Sequence, residues 1–112
     1  IETSDVHAHL TDFDYNQNQT NPKIGLTRAA NLIKQARREV KNSVYVDNGD
    51  VLQGSPLGDY MAAKGLAKNE KHPSYLALEK LNATASVVGS HEFNYGLDYL
   101  NRAIAKNQST IF

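Results

Sequence analysis

From Thr27 to Lys41 the apolar residues Ala29, Leu32, Ile33, Ala36 and Val40 recur at helical spacing, while Arg28, Lys34, Gln35, Arg38 and Lys41 fill the other side. That pattern predicts an amphipathic helix lying on a core. Behind it, the apolar and β-branched run from Ser43 to Val46 reads as a buried strand that stops in Asp47-Asn48-Gly49-Asp50. Ser55-Pro56 has the form of an N-cap followed by proline at the first helical position. The helix it opens turns Leu57, Tyr60 and Met61 inward and ends at Gly65. His72-Pro73 opens a further helix, Ser74 to Asn82, on Leu76, Leu78 and Leu81, with His72 as a helix-start residue. Thr84 to Val88 reads as a short strand, Leu97, Leu100 and Ile104 mark a last helix, and Ser109 to Phe112 a last strand. The stretch from Thr11 to Pro22 has no apolar period and reads as a surface loop held down by Phe13 and Tyr15. With Ile1 to Ser4 taken as a first strand, strands alternate with helices along the chain, which calls for an α/β fold with a mostly parallel sheet and covering helices.

Three of these strands empty into turns loaded with Asp, His, Ser or Glu: Asp5-Val6-His7, Asn48-Gly49-Asp50, and Gly89-Ser90-His91-Glu92. Parallel strands put their carboxyl ends on one edge, so these residues converge although the sequence scatters them. In Asp5-x-His7 a carboxylate and an imidazole at i and i+2 can meet on one ion, and Asp50 offers two hard oxygens at a point where a cation can be shared. Carboxylate plus imidazole without sulfur suits a divalent ion of the Mn, Fe, Zn or Ca type. A serine triad built on Ser90, His91 and an Asp is a poorer reading, because Ser90 and His91 are adjacent and no Gly-x-Ser-x-Gly elbow is present. By spacing alone, His9 alternates onto the ligand side of His7.

Composition narrows the partners. Twelve basic and twelve acidic residues cancel, which leaves no global field for a nucleic-acid polymer. No apolar run is long enough for a membrane span, and the absence of cysteine removes disulfide and thiolate chemistry. At 112 residues the chain holds one modest core. Its ends enter and leave chemistry abruptly, so residues 1–112 are expected to be the N-terminal fragment of a larger domain whose C-terminal remainder lies elsewhere.

Asp5-Val6-His7, Gly49-Asp50 and Gly89-Ser90-His91-Glu92 resemble the first three sequence blocks of the calcineurin-like metallophosphoesterases, whose pattern is Asp-x-His, Gly-Asp and Gly-Asn-His-Glu. The flanks Gln53-Gly54-Ser55-Pro56-Leu57 and Phe93-Asn94-Tyr95-Gly96-Leu97 are similar to the bacterial 2′,3′-cyclic-nucleotide 2′-phosphodiesterase/3′-nucleotidase branch of the 5′-nucleotidase family. The resemblance implies part of a metallophosphoesterase sandwich and metal-dependent hydrolysis of small nucleotide phosphoesters. Its setting would be periplasmic, cell-wall or secreted. A 5′-nucleotidase or sugar-nucleotide hydrolase, or a catalytically impaired metal- or phosphate-binding fragment, are its alternatives. By the same resemblance Asp5 and His7 bind the first of two divalent metal ions and Asp50 bridges both. Ser90 stands where the family has a metal-binding Asn, which weakens the second site. His91 sits beside the phosphate, and Asn94 replaces the Asp that orients that histidine in 5′-nucleotidases, accepting a hydrogen bond from the imidazole without supplying charge. The family's later histidine ligands have no counterpart after His91.

Overall fold

The computed structural model describes residues 1–106 and Ile111. Three short strands, β1 (Glu2–Thr3), β4 (Val46–Asp47) and β5 (Ala85–Ser86), form a parallel sheet in the order β1-β4-β5. Thr3 stands opposite Asp47, and Asp47 opposite Ser86. Ile111 adds a parallel bridge to Ser86; the rest of the strand expected over 109–112 lies outside the described residues. Parallel pairing demands crossovers, and they are supplied by α1 (Leu26–Glu39) between β1 and β4, and by α2 (Pro56–Lys64) and α3 (Pro73–Lys80) between β4 and β5. A last helix, α4, runs from Leu97 to Ile104. The α/β architecture with a parallel sheet and covering helices is therefore as expected, and no helix among the described residues is long and apolar enough to cross a membrane.

Helix boundaries follow the capping chemistry. Ser55 accepts the Gly58 N–H at 3.3 Å and Pro56 takes the first helical position of α2, while the Gly65 N–H closes the end on the Met61 carbonyl. His72 caps α3 through Nδ1, which accepts the Ser74 N–H at 3.1 Å.

The core gathers Leu26, Ile33, Tyr45, Val51, Leu52, Met61, Tyr75, Leu78 and Leu100. Tyr45 belongs to it, and the run Val44-Tyr45-Val46 is buried only at that middle residue. Val44 is 60% exposed, Val46 38% and Val87 41%, so among the described residues the face of the sheet that carries these valines is partly open, against the habit of parallel sheets, which are covered on both sides. Five inward assignments are corrected: Leu32, Val40, Tyr60, Leu76 and Leu97 are exposed. Gly58, Tyr75 and Leu100 take the core positions of their helices instead.

The expected loop from Thr11 to Pro22 contains an antiparallel hairpin, β2 (Phe13–Asp14) with β3 (Gln19–Thr20). Asp14 Oδ1 accepts the N–H groups of Asn16 and Gln17, at 3.0 and 3.1 Å, and Asn18 takes φ 52°, so side-chain turn chemistry closes a pair too short to show alternation. Phe13 and Tyr15 pack edge to face on each other, at 5.0 Å, and remain largely exposed.

His72 is sealed from solvent, at 0% exposure. Because Nδ1 accepts the Ser74 N–H, the ring proton sits on Nε2, which has no hydrogen-bond partner among the described residues. Burial pushes the imidazole pKa down from 6.5 to about 4, against a small opposing pull from Glu70. The unfolded chain thus takes up a proton below about pH 6.5 that the folded chain refuses until about pH 4. The stabilisation is complete above the upper value and lost as pH falls through that window, by about 3 kcal/mol in all. Urea unfolding at pH 7 and at pH 4.5 should show this decline, and His72→Asn, which keeps the cap, should flatten it; an unchanged slope in the variant would locate the sensitivity elsewhere.

Candidate metal and phosphoester site

The backbone delivers the site by running past β1 and β4 in left-handed conformations. Asp5, His7, Ala8 and Asp50 take φ values of 56°, 49°, 56° and 57°, uncommon for residues with a side chain and held here by hydrogen bonds between the two turns. The Asp5 N–H donates to the Gly49 carbonyl at 3.1 Å and the His7 N–H to the Asp50 carbonyl at 2.8 Å. Gly49, at φ 86°, passes so close to the third turn that a Cβ would lie 2.6 Å from the Gly89 nitrogen; a Cβ on Gly89 would collide with the Asp50 carboxylate.

Within this frame His7, Asp50 and His91 each present a ligand-capable atom, all within 4.8 Å of one another. The His7 and His91 rings meet edge to face at 5.0 Å. His7 Nδ1–H donates to the Gln53 carbonyl at 2.6 Å, which fixes the tautomer and leaves the Nε2 lone pair free. Asp5 Oδ1 lies 3.6 Å from that Nε2. The Ser4 hydroxyl, and after it His7, hold the Asp5 carboxyl below the usual carboxylate range. Asp50 Oδ1 accepts the His91 N–H at 2.8 Å, with the second oxygen left for a ligand. The Asp50 carboxylate and the His7 Nε2 lone pair, without sulfur, fit a hard or borderline divalent cation, and Asp5, although beside His7, is outside the His7, Asp50 and His91 group.

His91 is a different kind of member. Asn94 Nδ2 donates to His91 Nδ1 at 2.9 Å, so in the neutral ring the proton sits on Nε2 and that nitrogen donates rather than ligates. The amide was expected to accept from the imidazole; its nitrogen faces the ring instead. Ser90, expected in the place of a second-metal ligand, is exposed. His9 is outside the His7, Asp50 and His91 group.

Two buried acids organise the site without joining it, and the sequence reading assigned neither a role. Glu92, 0% exposed, receives four backbone N–H groups. Oε1 accepts from Val51 at 2.6 Å and Leu52 at 3.0 Å, and Oε2 from Asp50 and Gly89, both at 2.7 Å. Asp47 accepts the Thr3 hydroxyl at 2.6 Å, the Gly49 N–H at 3.0 Å and the Ser86 hydroxyl at 3.2 Å, linking all three strands; burial nevertheless pushes its carboxyl pKa up. The one available signal was local, an acid within a glycine-led turn three residues after Gly89, in capping-box spacing.

No family model matches the chain. Its sequence is 58% identical over 105 residues to the 2′,3′-cyclic-nucleotide 2′-phosphodiesterase/3′-nucleotidase of Salmonella typhimurium, a match that takes in 94% of this chain and 16% of that protein. The chain likewise spans 16% of the length of the corresponding proteins of Yersinia enterocolitica and Haemophilus influenzae. Among solved structures it is similar to a calcineurin-like phosphoesterase, YfkN of Bacillus subtilis, with a TM-score of 0.89 and 37% identity, covering 98% of this chain and 34% of that one. Sequence and backbone agree along nearly the whole length of the chain, which is similar to part of a calcineurin-like phosphoesterase.

Proposed function

We propose that the protein carrying this chain hydrolyses small nucleotide phosphoesters, 2′,3′-cyclic nucleotides and 3′-nucleotides, with Asp5, His7 and Asp50 holding part of a divalent metal centre. The observation that supports this best is the convergence of His7, Asp50 and His91 within 4.8 Å from three separate strand ends. The name borne by the Salmonella relative, 58% identical, supports the substrate class. A divalent ion held by these residues would supply Lewis-acid polarisation of a phosphoryl oxygen and neutralisation of the charge developing on it.

The chain's own groups supply the rest. His91 Nε2–H would offer a hydrogen-bond donor to a phosphoryl or leaving oxygen bound beside it, and Asn94 holds the ring in that tautomer. Glu92 and the Gly49–Gly89 contact keep Asp50 and His91 in fixed register.

The test is hydrolysis by the full-length protein of 2′,3′-cyclic AMP, 3′-AMP, 5′-AMP and a nucleotide sugar, with and without a divalent-metal chelator. Chelator-sensitive turnover that favours the first two is the expected result. Preference for 5′-AMP or the nucleotide sugar would move the substrate assignment, and turnover that survives the chelator would overturn the metal-dependent reading.

A further inference from the structure

His7 and His91 stand on turns that follow different strands, so the 5.0 Å between their rings depends on whatever ties those turns together. The entrance of α2 holds the first. Gln53 offers its carbonyl to His7 Nδ1–H, the Ser55 hydroxyl donates to the Ala8 carbonyl at 2.9 Å, and a Cβ on Gly58 would lie 2.6 Å from the Leu52 carbonyl oxygen. The second turn, Ser90–Phe93, is anchored inward by Glu92 and continues through Asn94 to Tyr95. The Tyr95 hydroxyl donates to Asp59 Oδ1 at 2.5 Å, back across 36 positions to the first turn of α2. We propose that Tyr95, through its hydrogen bond to Asp59, is a positioning residue that sets where His91 stands opposite His7.

The bond has the strength for that role, since a hydroxyl donating to a carboxylate is charge-assisted and about twice as strong as a neutral pair. Asp59 is a stable anchor, because a carboxylate in the first turn of a helix interacts favourably with the helix dipole. Tyr95 has little room to swing away: its ring packs edge to face on Tyr99 of α4 at 5.4 Å, and Tyr99 packs in the same way on His72 at 6.2 Å. Only one residue separates Asn94, the partner of His91 Nδ1, from Gly96, whose N–H returns to the Phe93 carbonyl at 3.0 Å. A shift of Tyr95 therefore reaches the imidazole through a short, hydrogen-bonded segment.

This inference rests on the phosphoesterase reading for its kinetic test, and a second readout keeps the two apart. In the full-length protein Tyr95→Phe keeps the ring and removes the bond, and Asp59→Ala removes the other partner. Each should lower kcat on 2′,3′-cyclic AMP about tenfold, the scale of a sub-ångström misplacement of a reacting group. KM and the thermal midpoint should stay near their wild-type values. Because both variants break the same bond, the double variant should lose no more than either single one. Independently of turnover, the His91 imidazole resonances of histidine-labelled protein should move in Tyr95→Phe while those of His72 do not. If the wild-type protein leaves the cyclic nucleotide intact but the His91 resonances move, the positioning role stands and the substrate reading falls. Wild-type kcat together with unmoved His91 resonances in Tyr95→Phe would overturn the proposal, as would multiplicative losses in the double variant.

Discussion

Glu92→Ala is expected to cost about 4 kcal/mol of stability, since it strands several backbone donors that fold around one buried carboxylate. The residue 0% exposed in the core of the site is the shared acceptor for the N–H groups of Asp50, Val51, Leu52 and Gly89. Glu92→Gln should be only partly better. Its amide supplies one acceptor oxygen and sets an NH2 against two of the four N–H groups it must satisfy, a donor facing donors. Urea unfolding reads the stability, and titration with Mn²⁺ reads the site, where metal binding should vanish in the alanine variant. An unfolding midpoint equal to that of the wild type in Glu92→Ala would show that water can replace the carboxylate, and the clamp would lose its importance.

Asp50→Asn separates chemistry from folding in the opposite sense. Asparagine keeps an oxygen for the His91 N–H, held at 2.8 Å in the native site, and tolerates the left-handed backbone, φ 57°, better than most residues. Stability should therefore change by no more than about 0.5 kcal/mol. The charge that a shared cation needs is gone, so turnover by the full-length protein should fall on the order of a thousandfold, the equivalent of several kcal/mol of lost charge stabilisation. Metal titration should show weakened binding in parallel. Undiminished turnover in this variant would remove Asp50 from the metal centre.

Much of this could be read from the residues because the two signals involved are local. Ser55-Pro56 and His72-Pro73 name helix starts by capping chemistry that needs no tertiary context, and both α2 and α3 begin there. The three loaded turns follow β1, β4 and β5, which line up in parallel, so their convergence followed from topology alone. What stayed hidden depends on partners distant in sequence. Which of Val44, Tyr45 and Val46 is buried is decided by the side on which helices dock, and a run apolar at every position carries no such information. Glu92 looked like one more acid in a polar turn, and only folding shows its oxygens buried beneath the Asp50 loop. The direction of the Asn94 to His91 hydrogen bond was equally out of reach, because an amide can present either end to a ring.

The four N–H groups on Glu92 also have a consequence for the order in which the protein is made. Asp5, His7 and Asp50 precede Glu92 in synthesis, yet the loop that carries Asp50 has its N–H groups satisfied by a side chain 40 to 42 positions further on. β4 likewise pairs with β5 only after two helices have formed between them. Contacts of that sequence separation are slow to close, because loop entropy is lost before any contact compensates it. A nascent chain ending short of residue 92 therefore lacks the acceptor that the N–H groups of the Asp50 loop meet in the folded protein, and the metal centre proposed on that loop is expected to be complete only once the third turn has docked.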